Sequence, residues 1–317
     1  MTKTILEFEK PLIEIENEIQ EMELLNTTGE KDLSSEIEKL RNKSHDMAIK
    51  INKKLSRWQR VELARHSDRP HSLDYIERIV TQWNELHGDR YFGDDHAIVA
   101  GIGHIGEFKA AIIGQQKGRS TKDNIYRNFG MASPEGFRKA LRVMKMAEKF
   151  NIPVVSFVDT IGAFPGIEAE ERGQAEAIAR NLFEMSKLRV PILIIVIGEG
   201  ASGGALGVGV GDRLLMLENT WFSVISPEGC ASILYHDASK KELAAESMKV
   251  TALDLLEMGI ADRIIEEPLG GAHRNYEKMA HIIKDVIIEE LHKLIDKDKE
   301  TLISERITKL ENIGSWG

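Results

Sequence analysis

Apolar positions follow two rhythms along the chain. Up to about residue 60 the sequence is rich in Glu and Lys and almost free of glycine. Its apolar residues return every three or four positions: Leu12, Ile15, Ile19 and Met22, then, past a break at Thr27-Thr28-Gly29, Leu33, Ile37, Leu40, Met47, Ile51, Leu55 and Trp58. That spacing lines one face of a helix, so the stretch predicts two amphipathic helices forming a hairpin or a partner-binding arm. A solvated helical appendage folded on its own domain is the plainer reading of the same pattern.

Past residue 65 the rhythm shortens. Ser72 predicts the cap of a helix bearing Leu73, Ile76, Ile79, Val80 and Trp83, with Gly88 at its end. HAIVAGIGHIGEFKAAIIGQQKG reads as a hairpin whose second strand runs from Phe108 to Gly114. Ser133-Pro134-Glu135 opens a helix that continues to about Phe150, and the strand VVSFV then ends at Asp159-Thr160. A loop IGAFPG leads to one long helix from about Glu168 to Leu188.

Pro191 to Ile197 is an apolar, β-branched run without alternation, which suits a strand buried on both faces. Gly198 ends it, and the chain turns through glycines into a short helix starting near Ser202. Two short strands, RLLML and WFSVI, lead to Ser226-Pro227-Glu228-Gly229, an echo of the S-P-E-G at Ser133. A chain of repeated β-β-α units would produce that echo. Thr251 to Gly259 is a capped helix, IADRII a short strand, and Ala272 to about Ile313 helical. Met279, Ile282, Val286, Leu291 and Leu294 form one stripe there, and Leu302, Ile307 and Leu310 a second.

The glycine turn carries the chemistry, and it admits three readings. Gly198, Gly200 and Gly203 make a G-x-G-x-x-G after a strand, with Glu218 twenty residues on. The helix that would follow is short and holds Gly207, Gly209 and Gly211, which disfavours a dinucleotide fold. A second match at Gly101, Gly103 and Gly106 is followed by a strand, not a helix, and is discarded. Gly200, Ser202 and Gly204 also satisfy G-x-S-x-G, a nucleophile elbow with Ser202 attacking and His236, beside Asp237, or His273 as base. The third reading uses backbone alone: Gly203 and Gly204 present unpaired N–H groups at a helix N-terminus, an oxyanion hole. The loop from Asp159 to Gly166 supplies a second wall, with Pro165-Gly166 fixing its turn.

Composition narrows the partners. The 317 residues are 42% hydrophobic and 29% charged, as in an ordinary globular protein, and suit one large domain with an appendage. A net charge of −9 argues against a general nucleic-acid or anionic-membrane binder. No apolar run reaches the length of a membrane span, and MTKTILEFEK lacks the apolar core of a signal peptide. The single cysteine, Cys230, excludes an internal disulfide framework and a cysteine zinc site. A cytoplasmic protein is the expectation.

Several blocks together resemble one family. RHSDRPHSLDYI (65–76), GQQKGRSTKDNIYRNFGMASPEGFRKALR (114–142), DTIGAFPGIEAEERGQAEAIA (159–179), GEGASGGALG (198–207) and SPEGCASILY (226–235), with VTALDLLEMGIADRII, are similar to the alpha subunits of bacterial acetyl-CoA carboxylase carboxyltransferase. The resemblance implies an α/β crotonase-like (ClpP/crotonase) spiral of β-β-α units over residues 61–270, a helical arm at 1–60 and a C-terminal helical segment at 271–317. It implies transfer of a carboxyl group from carboxybiotin, borne by a separate biotin carboxyl carrier protein, to acetyl-CoA, giving malonyl-CoA for fatty acid synthesis.

By the same resemblance Gly203 and Gly204 stabilise the biotin ureido oxygen, and Ser202 shapes the turn. Gly162, Ala163, Phe164, Pro165 and Gly166 line the substrate site. Lys117, Arg119, Lys122 and Arg127 form a basic loop for CoA phosphates or the partner subunit, or else a solvated charge cluster. The expected partners are a beta subunit, in a complex of two alpha and two beta chains, and biotin carboxylase in the ATP-dependent holo-complex. The family's four-cysteine zinc site belongs to beta, so no metal is expected in this chain. A bulky residue at Gly204 is expected to abolish transfer and leave the fold intact.

Overall fold

The computed structural model describes residues 4–27 and 32–314. The two stripes of the arm meet each other: α1 (Lys10–Thr27) and α2 (Ser34–Lys54) bury Ile15, Ile19 and Ile37, with Met22, Leu33, Leu40 and Met47 around them. Thr28 and Gly29 of the expected break lie outside the described residues. Trp58 belongs to a separate helix, α3 (Arg57–Ala64), opened by a capping box in which Ser56 and Gln59 bond each other's N–H groups.

The helix expected from Ser72 is shorter than its pattern. α4 (Ser72–Ile79) has His71 at its N-cap, and the Ser72 hydroxyl donates to the Gln115 carbonyl at 2.6 Å. Trp83 lies in an edge strand, β1 (Thr81–Glu85), antiparallel to β2 (Ile98–Ile105). Gly101 and Gly103 explain the switch. A Cβ at either would run into Trp83 or Val80, so the glycines leave a groove in which those side chains lie across β2. Sheet pairing has overridden a helical period.

β2 and β3 (Phe108–Gln115) form the expected hairpin, turning at Gly106 with φ +57°. There follow α5 (Thr121–Tyr126), α6 (Pro134–Phe150) and β4 (Val154–Thr160). The long helix expected next is two helices, α7 (Ile167–Glu171) and α8 (Gln174–Lys187), separated by Gly173 at φ +82°. The break places Arg172 on Glu135 at 2.5 Å and lets Gln174 bond the Ala132 and Phe164 carbonyls. β5 (Ile192–Ala201), α9 (Ser202–Leu206), β6 (Arg213–Leu217), β7 (Trp221–Ser223) and α10 (Pro227–Tyr235) come next. α11 (Lys241–Met248), α12 (Ala252–Glu257), β8 (Arg263–Ile265), α13 (Tyr276–Leu294) and α14 (Lys299–Glu311) complete the chain.

The sheet runs β1-β2-β3-β4-β5-β6-β8, antiparallel through β3 and parallel from there on. Every residue of β5 is buried, and its side chains divide by parity. Ile192, Ile194 and Val196 pack with Phe137, Val143 and Met144 of α6 and with Ala177 and Met185 of α8. Leu193, Ile195 and Ile197 pack with Tyr75 and Ile76 of α4 and with Ile283, Ile287 and Leu291 of α13. The uninterrupted apolar run is thus the middle layer of three.

β5 also changes neighbours. Leu193 to Val196 pair with β6, whereas Glu199 to Ala201 pair with β7. The glycine turn begins where that second pairing ends. From the far side α14 reaches in through Arg306, fully enclosed, which donates to Asp212 and to the Met185, Leu188 and Val190 carbonyls.

Candidate functional site

The glycine turn and the 159–166 loop meet at one place. Gly204 is buried, and a Cβ there would overlap the Gly162 carbonyl carbon and the Ala163 nitrogen. This contradicts the expectation that a bulky Gly204 variant keeps its fold, because the atoms in the way are backbone and cannot swing aside. Gly203 is half-buried, and its missing Cβ faces Ile178 at an ordinary 3.5 Å. No side chain caps α9, and first-turn N–H groups have no acceptor within their own helix. Ser202 holds φ +58°, a left-handed conformation that costs a serine about 1 kcal/mol or more.

The loop opposite is tied down by its own atoms. The Thr160 hydroxyl lies 2.7 Å from both the Gly130 and Gly162 carbonyls and accepts from the Gly162 N–H. The Phe164 N–H donates to Ala132, and the Phe164 ring fills the space a Cβ on Gly166 would need. Gly162, at φ +146°, has nothing within 4 Å of its missing side chain. Pro165 is exposed, and Ala163 and Phe164 are half-buried.

A chain of charges, buried at Asp159 and Glu199 and part-exposed at Arg65 and Glu228, joins the two segments. Asp159, at the end of β4, accepts from Lys117 Nζ at 2.7 Å, lies 3.2 Å from His71 Nδ1, and accepts the Glu199 N–H at 3.0 Å. Lys117 reaches Glu199 as well, at 2.9 Å, and Glu199 continues to Arg65 and on to Glu228. Burial pushes the Asp159 carboxyl up, but Lys117 and His71 outweigh it and hold it well below the usual range. Burial likewise works against the Lys117 charge, and Asp159 and Glu199 together raise its pKa. Gly198 exists for this contact: a Cβ there would collide with the Asp159 carboxylate. A cavity of about 270 Å³ opens beside the chain, lined by Arg65, His71, Lys117, Arg119, Ile161 and Glu199.

The chain matches the family model described as "Acetyl co-enzyme A carboxylase carboxyltransferase-like" over residues 5–314. It is 56% identical to the acetyl-coenzyme A carboxylase carboxyl transferase subunit alpha of Chlorobaculum parvum, covering 99% of this chain and 98% of that one. It is 51% identical to the protein so named from Staphylococcus haemolyticus, covering 98% and 99%.

The chain belongs to the acetyl-CoA carboxylase carboxyltransferase alpha-subunit family.

Solved structures agree on the fold, which is crotonase-like. A Pseudomonas malonate decarboxylase hetero-tetramer chain aligns with TM-score 0.56 at 15% identity, over 68% of this chain and 86% of that one. Transcarboxylase 12S aligns with TM-score 0.54 at 20% identity over 69% of this chain; the match spans 42% of the transcarboxylase chain. In this alpha-subunit fold the nucleophile-elbow reading finds no support. His236 is an exposed residue ending α10, and His273 stacks on His66 near Glu9; neither is bonded to Ser202.

The basic loop expected at 117–127 is mostly consumed by the fold. Lys117 is in the chain of charges, Arg119 pairs with Asp74 at 2.5 Å, and Arg127 donates to the His96 carbonyl. Lys122 is exposed. As for metals, Glu9, His66 and His273 bring donor atoms within 4.8 Å of one another. Their two imidazoles stack 14° from parallel at 4.0 Å, and both His66 ring nitrogens are engaged within the protein, with the Thr4 carbonyl and the Asp68 N–H. Gln115, Asp159 and Glu199, which hold the site together, carry no periodic signal; each lies inside a block that bears the family resemblance, in GQQKG, DTIGAFPG and GEGASGG, but nothing in the sequence pairs them with one another.

Proposed function

We propose that the chain is the alpha half of a carboxyltransferase that moves a carboxyl group from carboxybiotin to acetyl-CoA, giving malonyl-CoA. The observation that carries this reading is the end-to-end family match, residues 5–314, which includes both the glycine turn and the loop packed against it. Carboxybiotin, brought in on a carrier protein, supplies the carboxyl group. The Gly203 and Gly204 N–H groups stabilise the negative charge left on the ureido oxygen, as preorganised dipoles that need not reorganise during reaction. Each such donor is worth on the order of 3 kcal/mol. Gly162 to Gly166 form the facing wall, and Ser202 sets the turn.

The alpha designation of the relatives supports a beta partner, which would complete the site on the acetyl-CoA side and bring the zinc. We assign the arm, α1 and α2, to subunit contacts, residues 61–270 to the catalytic domain, and 271–317 to a C-terminal helical segment. Among the described residues no helix is long and apolar enough to cross a membrane. A cytoplasmic complex with biotin carboxylase and the carrier protein fits this reading.

The test is carboxyl transfer between malonyl-CoA and a free biotin derivative. The chain alone should be inactive, and activity should appear on mixing with the zinc-bearing beta subunit. An inactive mixture that demonstrably contains the complex would overturn the reading, and covalent labelling of Ser202 by a fluorophosphonate would then revive the hydrolase.

A further inference from the structure

One side chain touches both walls of the site without facing the substrate. Gln115 is the last residue of β3 and has no exposed surface. Its Nε2 donates to the Gly204 carbonyl at 2.7 Å, and its Oε1 accepts the Asp159 N–H at 3.1 Å. The Gly204 carbonyl is free for this bond because the Val208 N–H, four residues on, bonds Ala205 instead. Gln115 is itself anchored through its own carbonyl, which accepts the Ser72 hydroxyl at 2.6 Å.

We propose that Gln115 is a positioning residue that fixes the aim of the Gly203 and Gly204 N–H groups by clamping the Gly204–Ala205 peptide, the unit that directly follows those two donors, to the end of β4. This rests on the reading of those N–H groups as oxyanion donors. The chemistry of the clamp is strict. A peptide carbonyl can only accept and a peptide N–H can only donate, so the bridging group needs one donor and one acceptor 2.2 Å or so apart, as in a carboxamide. α9 is a short helix without a side-chain cap; Asn181 bonds the Gly207 carbonyl at its C-terminal end, and Gln115 bonds the Gly204 carbonyl and ties it to β3 and β4. A tilt of the turn moves the donors off the developing oxyanion, and misplacement by about 1 Å costs on the order of a hundredfold in rate.

Gln115→Glu tests the clamp, because it keeps the shape and makes the donor titratable. As a carboxylate it cannot donate to Gly204; protonated, it can, while its other oxygen still accepts from Asp159. Burial raises such a carboxyl above its ordinary value of about 4.3. Transfer should be measured in the alpha–beta complex, per mole of complex shown intact by sedimentation at each pH. The ratio of variant to wild-type kcat should be about 0.01 to 0.1 near pH 8.5. It should climb several-fold as pH falls to about 6, with KM for malonyl-CoA little changed.

Gln115→Met, which can neither donate nor accept, should be slow at every pH with no climb. A Gln115→Glu ratio near one at high pH, or a low ratio that does not move with pH, would overturn the proposal. A wild-type complex without transfer activity would instead sink the functional reading itself, and the clamp with it.

Discussion

At the scale of single residues, Ser202 separates the two chemistries most sharply. Its φ of +58° is a conformation glycine adopts freely and serine does not. If the backbone performs the chemistry, Ser202→Gly should retain transfer within a few-fold and gain up to about 1 kcal/mol of stability by relieving the turn. A urea melt and a transfer assay on the same preparation read both. A thousandfold loss of kcat in a stable variant would mean that the hydroxyl reacts. The glycines themselves were legible in the sequence, since only close approach or a left-handed turn demands so many in a row. The charges paired beside them were not. Lys117 reads as the first cation of a basic loop, and nothing within ten residues announces that Asp159 and Glu199 will enclose it. Pairings between residues 40 to 80 apart are set by sheet order, which the chain does not spell out locally.

At the scale of elements, periodicity found most helices and strands but misjudged where one kind yields to another. Val80 and Trp83 continue the helical stripe of α4, yet they cross β2 over two glycines that exist to receive them. Gly173 was invisible inside an otherwise helical run. The arm illustrates a junction with a chemical lock. Glu16 pairs with Arg274 at 2.6 Å, the His66 Nε2 lies 3.1 Å from the Thr4 carbonyl, and Glu9 faces His273. Burial and the neighbouring His273 lower the His66 pKa, with Glu9 and Asp68 opposing. Glu9 is pushed up by burial but held below its usual value by His273. Both shifts have the same consequence. A depressed pKa contributes stability above the unfolded value and loses it as pH falls, so docking weakens below about 6.5 as His66 takes a proton, and further below about 4.5 through Glu9. Hydrogen exchange at Leu12, Ile15 and Ile19 should therefore be faster at pH 5.5 than at pH 7.5 relative to the β5 amides. Equal protection after correction for intrinsic rates would refute this.

At the scale of the whole molecule, the fold places its paired charges around a strand that is apolar from Ile192 to Ile197. β5 is covered by α6 and α8 on one side and by α4 and α13 on the other. Its edge contact at Asp212, whose carboxylate accepts the Ile192 N–H at 2.7 Å, depends on Arg306 from the far end of the chain. Arg306→Met should cost about 3–5 kcal/mol, because it leaves a buried carboxylate without its cation. Denaturant unfolding checks this, and Asp212→Asn in the same background should restore part of the loss. A cost below 1 kcal/mol would show that Asp212 finds another partner.

The Arg306 bond also sets an order of events. Asp212 leaves the ribosome 94 residues before the guanidinium that neutralises it. Until α14 emerges, the polypeptide must either keep that carboxylate in water, with β5 and β6 unsealed, or enclose it at a penalty of several kcal/mol. The glycine turn continues directly from β5, so the strand it hangs from gains its last polar seal only after α14 has been made.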